Sequence, residues 1–146
     1  MPIEIRDCDG GIGNIIESRG VVTDKELIDC LIPHLSDERE KFKKYQYILI
    51  DHSAVTKMDI TNETVENIAG IVEDTSSVNP DTILALVAYV SMEANIDLLN
   101  RISKMNELFI YRSSWDAMLF RNKPSAVRWV KEKVRDKFGT DDLTSI

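Results

Sequence analysis

The chain is poor in the residues that build disulfide-rich or membrane-spanning proteins. It has two cysteines in 146 residues, Cys8 and Cys30, and their spacing matches no disulfide framework or metal-binding pattern. Its longest apolar runs fall far short of the ~20 residues that span a bilayer, and it contains no internal repeat or low-complexity segment. We expect two reduced thiols in a cytoplasmic protein, although a disulfide between them stays open.

Positive charge is missing from the middle of the chain. Residues 58–100 carry eight acids and no Lys or Arg, whereas residues 101–137 carry ten Lys or Arg against four acids. Phosphate contacts need cations, so the acidic segment argues against nucleic acid as the partner of that face and favours a basic protein surface. The alternative is an unevenly charged surface that is merely solvated. The first four residues also lack the basic and apolar regions of a signal peptide, which favours a cytoplasmic location.

The residues that are present indicate one α/β domain. At 43% hydrophobic and 29% charged residues, the chain can bury a core as a single unit. Strand-like runs alternate with segments of helical periodicity in the order β-β-α-β-α-β-α-β-α. This order predicts an opening hairpin, a mostly parallel small mixed sheet and helices packed against it. We expect the domain to cover residues 1–139 and residues 140–146 to form a flexible tail.

The element boundaries follow from apolar patterns, caps and turn residues. A capping box at Thr23 and Glu26 opens the first helix, and Gly139 ends the last one. The long third helix is expected to reach about residue 111, but a break near Asn106 followed by a strand at 108–111 is the alternative. The expected strands are 3–8, 13–22, 46–51, 82–90 and 115–121, and the expected helices are 23–36, 62–74, 91–111 and 124–138.

The most informative stretch is residues 47–61, which read YILIDHSAVTKMDIT. A continuous apolar run, typical of a strand covered on both faces, ends at Asp51. A short loop is expected next, and Asp59 then precedes a helix that begins after Thr61. The hydroxyl of Thr61 would lie at a helix start, where free backbone N–H groups and the helix dipole favour anions.

This stretch resembles the signature of STAS domains, the modules of anti-sigma-factor antagonists and of sulfate-transporter tails. In that family a buried strand ends in Asp, and after a short loop an Asp and a phosphorylatable Ser or Thr open a helix. The last strand and helix, with Phe120-Arg121 and the pair Ala126 and Trp129, also resemble the close of a STAS-like (SpoIIAA-like) bacterial family, often of unassigned role. The resemblance covers about residues 3–137. The positions that match the signature are Asp51, Ser53, Val55, Met58, Asp59 and Thr61.

The resemblance implies a non-catalytic regulatory or protein-binding module. Thr61 would be the phosphoacceptor, because a partner kinase switches anti-sigma antagonists at that position. Two residues depart from the family's Asp-Ser-Ser/Thr-Gly run, since Ile60 replaces the first Ser and Asn62 replaces Gly. The alternative role for Thr61 is a plain N-cap, worth about 1 kcal/mol. The partner would be a kinase or an anti-sigma-like regulator, and a homodimer stays open. The expected partner surface is Asp51, Ser53, Asp59, Asn62, Glu63 and Glu66.

A second hypothesis is a domain that binds a small apolar or anionic ligand, either a lipid or a nucleotide. Open α/β sheets place ligands at the carboxyl ends of their strands. His52, Tyr89 and Ser91 fall at that level in neighbouring strands, and Arg121 would add a cation. A shallow surface there would favour protein docking, whereas a deep apolar pocket of several hundred Å³ would favour a ligand. The alternative role for His52 is a loop histidine with satisfied hydrogen bonds.

Enzymatic chemistry is not expected. Asp51, His52 and Ser53 are the residue types of a hydrolase triad, but adjacent strand residues point to opposite faces and do not converge. Cys30 and His34 share one helix face, yet two ligands do not make a metal site. We therefore expect no catalytic site, no metal, no cofactor and no nucleic-acid partner.

Overall fold

The fold is built on one five-stranded sheet, seen in a computed structural model that describes residues 2–88 and 96–146. Its spatial order is the order of the sequence, from the first strand to the fifth. The first two strands are antiparallel, and each later pair is parallel. The predicted α/β class, with an opening hairpin and a mostly parallel sheet, is therefore confirmed. The strands are β1 Ile3–Cys8, β2 Gly13–Thr23, β3 Tyr47–Asp59, β4 Ile83–Val87 and β5 Asp116–Phe120.

Helices connect the strands in the predicted places. The capping box forms, because the Glu26 carboxylate accepts a hydrogen bond from the Thr23 backbone N–H at 3.0 Å. The last helix ends at Gly139, whose φ of 73° is the left-handed conformation that glycine adopts without strain. Within the described part of the chain, no helix has the length and apolar character needed to cross a bilayer. The helices are α1 Asp24–Glu26, α2 Ile32–Asp37, α3 Arg39–Phe42, α4 Asn62–Ser76, α5 Ile96–Glu107 and α6 Lys123–Phe138.

Two π-helical turns extend these helices. Leu27–Leu31 joins α1 to α2, and Leu108–Arg112 continues α5. The alternative of a strand at 108–111 is therefore wrong. Leu108 and Phe109 are buried against the sheet as part of the helix layer, so their apolar character reflects helix packing.

The sheet separates two apolar layers. Ile48 and Ile50 point into the layer covered by α2, α4 and α5, whereas Leu49 points into the layer covered by α6. All five residues of β4 are buried, as expected for a central parallel strand that is covered on both faces.

β3 is much longer than the sequence predicts. Residues 52–59, expected as a loop, pair with β2 as far as Thr23 opposite Asp59. The register shifts twice, and each shift places one extra residue in β3. Each such bulge reverses the alternation of side chains, so Val55 and Met58 both face the core although they are three residues apart. The broken alternation explains why the segment reads as a loop.

The tail also differs from the expectation of a flexible segment. Leu143 is only 8% exposed and packs in the α6 layer. The backbone N–H groups of Thr144 and Ser145 donate to the carboxylate of Asp9, in the turn between β1 and β2. Residues 143–145 are thus held against the sheet.

Candidate functional site

The structure divides the predicted partner surface into two areas. Asp51 lies level with the last residue of β4, where it pairs with Val87. Asp59 lies eight positions further along the strand, a path of roughly 25 Å at ~3.3 Å per residue. Ser53 therefore belongs with Asp51, whereas Asn62, Glu63 and Glu66 lie on α4 and belong with Asp59.

The first area is a compact turn at a bulge of β3. Oδ1 of Asp51 accepts hydrogen bonds from the Ser53 backbone N–H at 2.9 Å and from its hydroxyl at 2.6 Å. His52, between them, is buried on the opposite side and bonds to neither. The three side chains thus do not form a catalytic triad.

Thr61 is the N-cap of α4, as its position predicts. Its hydroxyl oxygen accepts from the Thr64 backbone N–H at 3.3 Å, and its own backbone N–H donates to Oδ1 of Asp24 at 2.9 Å. That backbone hydrogen bond holds the pKa of Asp24 below its usual value, so a negative charge lies beside the cap. Thr61 is nevertheless an exposed residue, and its hydroxyl also lies 3.2 Å from the Thr64 hydroxyl, to which it donates.

A groove begins at Thr61 and runs between α4 and α5. The part nearest Thr61 has a volume of about 580 Å³, and the part toward the end of α5 has about 500 Å³. Asn62 and Lys104 line both parts, so the two parts adjoin. The other lining residues are Asp59, Ile60, Asn100 and Arg101 in the first part, and Val65, Glu66, Ala69, Glu107, Leu108, Tyr111 and Arg112 in the second.

Side chains from the acidic segment (residues 58–100) and the basic segment (residues 101–137) meet across this groove. Arg101 of α5 donates from Nη1 to the carbonyl oxygen of Ile60 at 2.7 Å, directly before the cap of α4. At the far end, Arg112 pairs with Glu73 and lies 3.7 Å from Glu66. Lys104 lies between these two arginines and lines both parts of the groove. α5 and its extension therefore present cations to the acidic surface of α4.

Two residues of the predicted ligand crevice, His52 and Arg121, are described, and they lie on separate parts of the sheet. His52 is 6% exposed and lines a cavity of about 10 Å³ between β3 and the helices. Arg121 is exposed beyond β5, two strands away. Tyr89 and Ser91 lie outside the described residues.

His52 is an unusual buried polar group. Among residues 2–88 and 96–146, no partner reaches either of its ring nitrogens. Burial lowers its pKa to about 4, against the opposing effect of the Asp51 charge, so the ring is neutral at pH 7. The cavity around it is otherwise largely apolar, lined by side chains such as Ile50, Met58, Met105 and Phe109. Nearly all buried side-chain polar groups in proteins find a partner, so this one calls for an explanation.

Sequence reasoning missed three charged residues beside Thr61. Arg101 and Lys104 are spaced three apart on a helix and so share one face, but nothing in the sequence shows that this face lies against α4. Asp24 is 37 positions from Thr61, and only the fold brings the two together. The three-residue spacing of Arg101 and Lys104 is the sequence signal that could have placed them together on one helix face.

Among the described residues, the cysteines and the other ionisable groups form no metal centre. Both thiols are free, and Cys8 lies 2.9 Å from the Tyr47 hydroxyl. In the parts of the chain that the structure describes, no three His, Cys, Asp or Glu side chains lie close enough together to hold a metal ion.

Comparison with known proteins connects the chain to one fold. No family model matches it, and no match is found among curated proteins. One similar solved structure is an uncharacterised protein of the DUF3478 family from Shewanella loihica PV-4, described as having a SpoIIAA-like fold. The TM-score is 0.54 at 13% sequence identity, and the alignment covers 88% of this chain and 91% of that one. Such a low identity shows the fold alone. The chain therefore has a SpoIIAA-like fold, as its STAS-like sequence features imply.

Proposed function

We propose that this chain is a non-catalytic regulatory module that binds a protein in the groove between α4 and α5 and is switched by phosphorylation of Thr61. One observation carries the proposal. Thr61 is an exposed residue at the start of a helix of 15 residues, in a groove that is also lined by Arg101 and Lys104. Helix N-termini and basic side chains both stabilise phosphate.

A phosphate at this position would act through charges that are already in place. It would add about −1.5 to −2 charges at the N-terminus of α4. Arg101 now donates to the Ile60 carbonyl and would be drawn toward the phosphate. Asp24 would be repelled from it, because its ionised carboxylate accepts the Thr61 backbone N–H. Both effects would move the walls of the groove without unfolding the domain.

The shape of the surface favours a protein partner over an enclosed small molecule. The groove is an open channel that carries charges of both signs, which suits docking of a protein surface of complementary charge. The cavity at His52 has about 10 Å³, far below the several hundred Å³ that would accommodate a lipid or nucleotide.

Partner capture with two variants of matched size and different charge tests this proposal. Asn and Asp are both good N-caps, so Thr61→Asn and Thr61→Asp differ in charge and little in helix stability. We expect a specific protein, identified by mass spectrometry, to be retained by wild type and Thr61→Asn and lost by Thr61→Asp, or the reverse. The same variants with Arg101→Gln should show a weaker difference. An identical set of captured proteins for every form would contradict the switch.

One observation favours a second function, the binding of a small ligand with a polar head and an apolar body. His52 has two ring nitrogens without a described partner at an apolar cavity, and a ligand head group would satisfy them. The cavity would have to widen by movement of α5, whose Met105 lines it. Organic extraction and mass spectrometry of the purified protein test this function, with His52→Leu as the comparison. A molecule bound to wild type and lost in His52→Leu would support it.

A further inference from the structure

The turn that joins β1 to β2 holds the tail by a set of directed hydrogen bonds. Asp9 has a φ of 50°, the left-handed region, which aspartate tolerates better than most residues. Its Oδ1 accepts the backbone N–H groups of Thr144 at 2.8 Å and Ser145 at 3.1 Å. Its own N–H donates to the Ser145 hydroxyl oxygen at 3.1 Å. One residue thus binds two consecutive peptide units of the tail.

The Asp9 carboxylate is held in place by a group that is independent of the tail. The hydroxyl of Tyr47 donates to Oδ2 of Asp9 at 2.5 Å. Tyr47 reaches it only because residue 13 is glycine, since a Cβ there would fall 2.2 Å from Cζ of the tyrosine ring. The carboxylate is therefore oriented by β3 and β2, and its second oxygen is left free to bind backbone N–H groups.

Apolar contacts flank the bound backbone on both sides. Leu143 precedes the two amides and is buried in the α6 layer, and Ile146 follows them and packs against the same layer. Ile12 and Phe138 are partly buried and pack against the same cluster. The segment thus contributes two apolar side chains three residues apart, with two donors between them.

We propose that the Asp9 turn and the adjoining α6 layer form a capture site for a peptide segment, and that residues 143–146 occupy this site from within the same chain. The site accepts hydrogen bonds from two consecutive backbone N–H groups. These groups lie between two apolar side chains at positions i and i+3, which the site also binds. It involves none of the groove residues near Thr61, so it does not depend on the proposed function.

Charge and tethering both keep the site occupied. Burial raises the pKa of Asp9, but hydrogen bonds from Tyr47, Thr144 and Ser145 outweigh it, and the pKa lies below its usual value. The carboxylate is thus ionised near neutral pH. A short tether gives an effective concentration in the mM range, so an external peptide competes poorly with the wild-type tail.

Amide hydrogen exchange of the full chain tests occupancy. We expect the Thr144 and Ser145 amides of wild type to exchange at least about ten-fold more slowly than in an unstructured peptide. Asp9→Asn, which weakens the acceptor and introduces an NH₂ group opposite Tyr47, should remove most of this protection. Asp142→Asn makes the same charge change within the tail and should leave it intact. Unprotected amides in wild type, or full protection in Asp9→Asn, would overturn the proposal.

A peptide with the sequence of residues 139–146 tests capture in trans. Leu143→Lys in the full chain should release the tail, because a lysine ammonium is costly to bury. We expect the peptide to shift the backbone NMR signals of residues 9–11 in this variant, with at least about ten-fold tighter binding than to wild type. A peptide with Ala in place of its leucine should bind more weakly. Failure of the peptide to bind the released variant would overturn capture of a free segment, and Leu143→Ala, which leaves the Asp9 acceptor intact, repeats the test if Leu143→Lys is unstable.

Discussion

At the scale of single residues, both histidines are buried, but only one of them has hydrogen-bond partners among the described residues. His34 is 5% exposed, and its ring nitrogens lie 3.0 Å from Oε2 of Glu38 and 3.0 Å from Oδ1 of Asn14. His52 is equally buried but has no described partner. The first histidine joins a helix to the sheet, whereas a buried ring without a partner would lower stability.

The pKa of His52 predicts a loss of stability in mild acid. Burial lowers it to about 4 in the folded chain, against ~6.5 in the unfolded chain. The unfolded state therefore binds a proton first as the pH falls below 6.5, and stability declines until about pH 4. We expect a loss of roughly 2 to 3 kcal/mol between pH 7.5 and 4.5 from this residue.

Urea unfolding of wild type and His52→Leu at the two pH values measures this effect. The variant should lose less stability on acidification, because the group that titrates is gone. Burial also lowers the pKa of His34, which acts in the same direction in both proteins and cancels in the comparison. An equal loss in the two proteins would contradict the assignment to His52.

Gly13 and Gly70 form a matched pair for a test of packing. A Cβ at Gly13 would meet the Tyr47 ring at 2.2 Å, whereas a Cβ at Gly70 in α4 would have no atom within 4 Å. We expect Gly13→Ala to destabilise the domain by about 3 kcal/mol or more, since it overpacks a rigid contact. Gly70→Ala should stabilise it by about 0.5 to 1 kcal/mol, because alanine favours a helix. Thermal unfolding of the two variants checks both signs.

At the scale of elements, periodicity predicts the helices and strands but not their packing partners. Two of these predictions rest on neighbouring residues alone, and the structure confirms both. The continuous apolar run forms β4, and α6 ends at Gly139. The length of β3 is not predictable in this way, because its bulges break the alternation that identifies a strand. Tail docking leaves no local signal either, since Leu143 and Ile146 are isolated apolar residues in a polar segment.

The cap of α4 makes an element-scale prediction. Thr61→Ala removes the side-chain acceptor for the Thr64 backbone N–H and should lower the free energy of unfolding by about 1 kcal/mol. Thr61→Asn keeps such an acceptor and should stay within about 0.5 kcal/mol of wild type. Urea unfolding at pH 7 compares the three proteins. Equal stability of wild type and Thr61→Ala would show that the cap contributes nothing.

At the scale of the whole molecule, the fold brings the acidic segment and the basic segment of the chain together at one surface. The acidic segment supplies α4, the basic segment supplies the end of α5, and the two meet in one groove. Sequence alone predicted the SpoIIAA-like arrangement and the position of Thr61. It could not predict that Asp51 and Asp59 lie on separate areas, or that Arg101 lies beside the cap, because both depend on long-range packing.

Phosphopeptide mapping of the chain isolated from its own cell is the measurement that tests the central claim most directly. The proposed switch requires a phosphate on Thr61 in at least one growth condition, found by mass spectrometry on the peptide that spans residues 58–101, which has no internal Lys or Arg and is released by trypsin. We predict phosphorylation at Thr61, and its loss in Thr61→Asn. A peptide that is fully covered and unmodified at Thr61 in every condition would contradict the switch.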